Sequence, residues 1–272
     1  MRTPILLYHT IDENCAPDYR RWAVSTDRFR RHLDLLRDRG CQPVTMAQVG
    51  SSLASGKPLP KNSVAITFDD GLADFNVAAL PLLERYGYAS TLFIVTGFVG
   101  SPASWLAPLG EGDRMMMSWE EVARLPERNV ECGAHTHTHP QLDIVTRKER
   151  KREIKLSKAL LEERLGRRVV SFAYPHGYHT RSVASDVRAA GFHTACSVGS
   201  GNGRYGLQRL VVDEETPDST IHAHLDGRLD TASPRLPGWM RWSLRTGWRE
   251  YRRITAGYGA LTRAGSGNGL GA

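Results

Sequence analysis

Short, almost unbroken apolar runs alternate along this chain with longer stretches in which apolar residues recur every three or four positions. The runs PILLYH, SVAITF, ASTLFIV, NVECGAH, VVSFAYP, FHTACSV and LQRLVV read as buried strands. Between them lie helix patterns. STDRFRRHLDLLRDRG has Ser25 or Thr26 as its cap, Phe29, Leu33 and Leu36 as an apolar face, and Gly40 as its stop. LADFNVAALPLLERYG is helical, with Pro81 near a kink or start and Gly87 at the end. SWEEVARL opens with Ser118 and Glu121 in capping-box spacing. TRKERKREIKLSKALLEERLG predicts a long charged helix stopped by Gly166, and RSVASDVRAAG a shorter one. Residues 97–117 read as a loop carrying the run Met115–Met117. Strands separated by helices imply βαβ units on a parallel sheet, and about seven units fit within residues 3–215. That number suits a closed α/β barrel better than an open sheet.

Charge divides the chain further. Of a net +7 over 272 residues, the segment 235–263 holds seven arginines against the single Glu250. The body is nearly neutral and the basic character belongs to a C-terminal appendage. We therefore expect a catalytic domain over 1–215, a basic aromatic extension over 216–263, and a flexible tail, AGSGNGLGA, over 264–272. The four cysteines, Cys15, Cys41, Cys132 and Cys196, form no CxxC pair and read as free buried thiols in a reducing compartment. The apolar run Pro4–Tyr8 is too short for a leader, and no stretch approaches the roughly 20 apolar residues of a membrane span. A cytoplasmic location is the expectation.

Candidate chemistry gathers where parallel α/β folds place it, at the C-terminal ends of strands. There stand Tyr8–His9, Asp69–Asp70–Gly71, His135-Thr-His-Thr-His139 and Tyr174-Pro-His-Gly177. Adjacent carboxylates repel, and a single Asp-Gly could be an ordinary turn. Four independent strand ends with polar chemistry are a site. His135 and His139, four apart, share one side in a helical turn or tight loop; an extended segment would instead group His135, His137 and His139. One carboxylate with two imidazoles suits a borderline divalent ion, most often zinc, with positions left for water and substrate.

TFDDG, HTHTH and FAYPHG together resemble the first three motifs of the polysaccharide deacetylases, the NodB-homology or carbohydrate esterase family 4 group, over roughly residues 3–215. The resemblance implies a distorted (β/α)7 barrel that removes N- or O-acetyl groups from sugars with one divalent ion: zinc, or cobalt, nickel or manganese. Carried over, Asp69 is the general base, and Asp70, His135 and His139 hold the metal. Thr136 braces the histidine loop, and the backbone N–H of Tyr174 faces the oxyanion. A cation beside two carboxylates offsets their repulsion.

Two positions depart from the pattern. Ala173 stands where many members carry an arginine near the base; Arg209, in LQRLVV, offers either that support or a surface ion pair. No convincing late Leu-x-His motif supplies the general acid. The first-strand sequence LLYH matches a circularly permuted subgroup, those resembling deacetylases of biofilm poly-N-acetylglucosamine. This makes His9 the candidate acid, with His222 and His224 in reserve. His137, His176 and His179 receive no role. An iron(II) oxygenase would also use two histidines and a carboxylate, but the extra Asp69 fits hydrolysis better. A sugar-binding pseudoenzyme would have lost a ligand. In residues 235–258, Leu236, Met240, Leu244, Trp248 and Tyr251 recur at helical spacing, with Arg241, Arg245, Arg249 and Arg252 one position on; Gly247 weakens the middle. Arginine beside tryptophan on an amphipathic helix suits a membrane interface, and the apolar content disfavours a nucleic-acid arm. The expectation is a deacetylase of an acetylated saccharide, held at the inner membrane face.

Overall fold

The computed structural model describes residues 3–199, 201 and 203–228. The predicted segment 235–258, the tail 264–272 and most of the expected extension lie outside the described residues. In chain order the strands are β1 (Ile5–Tyr8), β2 (Thr10–Ile11), β3 (Ala23–Val24), β4 (Gln42–Pro43), β5 (Ser63–Phe68), β6 (Ser90–Ile94), β7 (Val130–Ala134), β8 (Ser171–Ala173), β9 (Thr194–Val198) and β10 (Leu207–Val211). The helices are α1 (Thr26–Asp38), α2 (Met46–Ser55), α3 (Leu80–Tyr86), α4 (Trp119–Arg124), α5 (Arg147–Leu165), α6 (Arg181–Ala189) and α7 (Asp218–Leu225).

Seven strands run parallel in the order β1, β5, β6, β7, β8, β9, β10, and β10 returns to β1. The register is Leu6 to Ile66 on one side of β1 and Leu6 to Leu210 on the other. This is the expected (β/α)7 barrel. The short β4 extends it beside β5, and β2 pairs with β3 as a separate two-stranded ribbon.

Alternation along the strands builds two apolar layers. Ile5, Ala65, Phe93 and Cys196 join one cluster, while their chain neighbours Leu6, Ile66, Leu92 and Ala195 join another. The second layer packs against helix faces, including Phe29, Leu33 and Leu36 of α1 and Leu80 and Leu83 of α3. The first takes in Met46 and Val49 of α2. That helix is not in the sequence reading. It starts in a Thr45–Gln48 capping box and carries Gly50, where a Cβ would lie 2.9 Å from Thr194 Cγ2.

Capping follows the predictions closely. Ser25 caps α1, Ser118 with Glu121 closes a box on α4, and Gly87 and Gly166 end α3 and α5 in left-handed conformation. Thr146 and Glu149 form a further box that sets where α5 begins after the histidine loop. Helix α7 lies against the barrel through buried Ile221. His224 Nε2 sits 3.2 Å from both the N and O of Ile5, and His222 pairs with Arg39, so neither reserve histidine faces the rim site. Among the described residues no helix is long and apolar enough to cross a membrane.

Candidate active site

Strand β5 delivers Asp69 and Asp70 to the rim. Asp69 N–H still belongs to the ladder, donating to Tyr8 O at 3.0 Å. The chain then turns: Asp70 has φ 76° and Gly71 φ 89°, two consecutive left-handed residues. Such a conformation is costly for aspartate and routine for glycine. Neighbours hold it there. Asp70 O accepts from Val95 N, Gly71 O accepts from Met117 N, and Leu72 bridges to Met116 in the 97–117 loop. The two carboxylates therefore part company.

Asp69 turns to β10. Arg209 Nη1 donates to Oδ1 at 2.6 Å and Nη2 to Oδ2 at 2.7 Å, with both side chains buried. Of the two readings offered for Arg209, the surface ion pair is wrong. Burial pushes Asp69 up, but the Arg209 guanidinium and then His135 outweigh it and leave the carboxyl below its ordinary value.

Asp70 turns the other way. Its Oδ1 lies 3.6 Å from His135 Nε2 and 3.5 Å from His139 Nε2, buried and without a hydrogen-bond partner. The histidine loop resolves the two sequence alternatives in favour of a tight turn. Thr136 (φ 67°) and His139 (φ 61°) are left-handed, and Thr136 Oγ1 accepts from His139 N at 3.0 Å. His137 is turned aside: its Nδ1 meets Thr96 Oγ1 at 3.1 Å and its N–H donates to Glu153 of α5. His135 Nδ1 donates to Ala173 O at 2.9 Å, which leaves the unprotonated Nε2, with its lone pair, on the side of Asp70.

The ligand atoms of Asp70, His135 and His139 lie within 4.8 Å of one another. An orphaned buried carboxylate oxygen facing two imidazole nitrogens fits a borderline divalent cation. Electrostatics point the same way. Burial and then Asp69 push Asp70 well above the carboxylate range, and Arg209, spent on Asp69, does not offset them. Burial holds both imidazoles in their neutral, coordinating form, with His139 lowered further by His135 and His176.

His9, just past β1, is half-buried at the same rim, with Nδ1 buried and unpartnered. Burial lowers its pKa to about 4; Asp69 pulls the other way, while Arg209, His135 and His176 push with burial. The Trp22 ring tilts over the imidazole at 5.9 Å. Trp105, from the 97–117 loop, stacks on His139 at 5.4 Å, and His176 meets the same ring at 4.8 Å.

Tyr174 requires a correction. Its N–H, expected to face an oxyanion, donates to Cys196 O at 3.1 Å. The β8–β9 register pairs Ala173 with Cys196, so the ladder continues one residue into Tyr174 and consumes that donor. The side chain is equally committed: the hydroxyl donates to Tyr205 O, and the ring stacks on His179 at 4.5 Å. Sequence reasoning gave His176 no role and passed over Trp22 and Trp105. His176 lay in a motif already quoted; the tryptophans sit in loops whose return to the rim only the topology reveals.

A profile described as polysaccharide deacetylase matches residues 56–195, half of the chain. The chain belongs to the polysaccharide deacetylase family. Its class of chemistry is hydrolysis of acetyl groups on carbohydrate. The poly-β-1,6-N-acetyl-D-glucosamine N-deacetylase of Escherichia coli (strain K12) is 32% identical over 133 residues, 47% of this chain but only 20% of that protein. The enzyme of the same name from Staphylococcus aureus (strain MRSA252) is 22% identical over 219 residues, 75% of this chain and 72% of that one. Among solved structures, IcaB from Ammonifex degensii superimposes with a TM-score of 0.70 at 26% identity, covering 84% of this chain and 97% of that one. His9 and Arg209 both fall outside the residues that the deacetylase profile matches. The barrel closure of β1 against β5 and β10 brings them to the matched motifs.

Proposed function

We propose that this protein is a metal-dependent deacetylase that hydrolyses an N-acetyl group on a saccharide. The orphaned Oδ1 of Asp70, within 3.6 Å of two neutral imidazole nitrogens and beside a separately clamped Asp69, carries this reading. Asp70, His135 and His139 would hold one divalent cation, zinc first, which polarises the acetyl carbonyl and acidifies the attacking water.

The chain's own residues supply the proton transfers. Asp69 takes the proton of the attacking water, and Arg209 keeps that carboxylate ionised and aimed. The amine leaves only when protonated, and His9 is the donor. A pKa of about 4 leaves the ring neutral at pH 7. His9, half-buried at the rim, therefore takes a proton from solvent water as negative charge develops on the tetrahedral centre and passes it to the leaving nitrogen, while the proton held by Asp69 returns to solvent after the amine departs. Thr136 holds the loop that aims His139, and Ala173 O fixes the ring of His135. The relatives named for poly-β-1,6-N-acetyl-D-glucosamine make β-1,6-linked N-acetylglucosamine oligomers the first substrate to try.

The test is acetate release from those oligomers before and after chelation. Stripping the metal should abolish release and a divalent salt should restore it. Chelator-insensitive release would sink the reading.

A further inference from the structure

Arg114 lies in the 97–117 loop and touches no candidate ligand, yet three chain segments around the site meet on it. Its Nη1 reaches Asp12 Oδ2 at 3.1 Å, its Nε donates to Glu111 Oε2 at 2.9 Å, and its Nη2 donates to Asn14 O at 3.2 Å. Asp74, four residues beyond Asp70, lies 3.8 Å from Nη1 and accepts the N–H of Ile11 at 2.8 Å. One guanidinium therefore faces three carboxylates, with only 11% of its side chain exposed. Asp12 and Asn14 immediately follow β2, and β2 immediately follows His9. The same stretch folds back through Tyr19, whose hydroxyl meets Thr10 Oγ1, to set Trp22 over the His9 ring.

We propose that Arg114 is a positioning residue that fixes the His9 imidazole for proton delivery to the leaving nitrogen. The proposal rests on the deacetylase reading above. Without the guanidinium, Asp12, Asp74 and Glu111 repel one another and the segment after β2 moves, carrying His9 and Trp22 with it. Lysine keeps the charge but lacks the fork that reaches several acceptors at once.

Leaving-group chemistry separates positioning from mere support. An acetamide nitrogen must be protonated to leave; 4-nitrophenolate need not be. The test compares β-1,6-linked N-acetylglucosamine oligomers with 4-nitrophenyl acetate in Arg114→Lys and in the milder Asp12→Asn. In Arg114→Lys, kcat on the amide should fall roughly 10- to 100-fold and kcat on the ester by less than about threefold, with KM and metal content unchanged. Asp12→Asn should show a smaller loss of the same pattern. Equal losses on both substrates, or no loss on the amide, would overturn the assignment. If the unaltered protein releases acetate from neither substrate, the deacetylase reading fails separately. The clamp is then judged by the His9 imidazole resonance, which Arg114→Lys should displace; an unmoved resonance overturns it.

Discussion

Arg209 and Asp69, 140 residues apart, meet inside the barrel as a fork-to-fork ion pair, 2.6 and 2.7 Å between their paired atoms. The pair divides the work of two adjacent aspartates. Asp69 is neutralised by the protein's own cation and stays ionised. Asp70 has no such partner among the described residues, which on the proposed function leaves it for a divalent cation. A divalent ion drawn by both carboxylates would otherwise leave no base. The arrangement has a cost in basicity, because the guanidinium that guarantees ionisation also lowers the carboxyl's pKa.

The first prediction separates these roles. Asp69→Asn should retain the metal and lose turnover by about 10²–10⁴-fold, the usual worth of a general base. Asp70→Asn should lose the metal itself. Metal analysis by mass spectrometry beside acetate release reads both. Equal metal loss in the two variants would show that the roles are assigned the wrong way.

A second prediction concerns stability. Arg209→Met removes one partner of a buried ion pair and leaves Asp69 charged without compensation. Breaking such a pair costs about 3–5 kcal/mol. Adding Asp69→Asn should recover a large part of that loss, because the stranded charge goes with it. Urea unfolding of the two single variants and the double variant measures the coupling. Additive losses would mean that the two side chains do not interact as the distances require.

Much of this was legible in the sequence, for identifiable reasons. Barrel strands buried on both faces leave unbroken apolar runs, so β1 and β5 to β10 stood out. Helices with Ser or Thr caps and terminal glycines stood out likewise. Helix α2 did not, because MAQVGSSLAS interrupts its good helix formers with three serines and with a glycine that the approach of Thr194 explains. The metal-type triad followed from the resemblance of TFDDG and HTHTH to the family's motifs; spacing alone left His135 with His139, or all three histidines, and did not choose between Asp69 and Asp70. The commitment of the Tyr174 N–H to Cys196 could not be read, since strand register is a property of the sheet and not of the motif. Nor could burial of Arg209, whose partner is remote in sequence. Arg114, Asp12 and Asp74 lie on three separate stretches with no shared pattern, and only loop packing unites them.

The third prediction tests the C-terminal segment 235–258, whose arginines and aromatics recur at helical spacing in the sequence. Each basic residue near an anionic leaflet is worth about 1 kcal/mol. The full chain should co-sediment with vesicles containing anionic lipid at low salt and be released by high salt. A version ending at Ser233 should stay in the supernatant. If both forms pellet equally, or neither does, the segment is not a membrane anchor.

The last prediction is a pH dependence of folding that is independent of the catalytic site. His32, on α1, is fully buried; its Nδ1 meets the Tyr8 hydroxyl at 3.1 Å and its Nε2 is unpartnered. Burial, aided by Arg28 and Arg31 against Asp218 and Glu214, lowers its pKa from 6.5 to about 4. The unfolded chain therefore binds this proton more readily than the native one. The contribution of neutral His32 is fully present above pH 6.5 and is lost as pH falls through 4. Between pH 7.5 and 5 the loss should approach about 2 kcal/mol, at about 1.4 kcal/mol per pH unit below 6.5. His32→Asn removes the titration while keeping a short polar group opposite Tyr8. The difference in unfolding free energy between the two proteins should thus shrink by that amount from pH 7.5 to 5, as read by urea denaturation. A difference that stays constant over this range would mean that His32 titrates alike in the folded and unfolded chain, and that burial against Tyr8 does not hold the ring neutral.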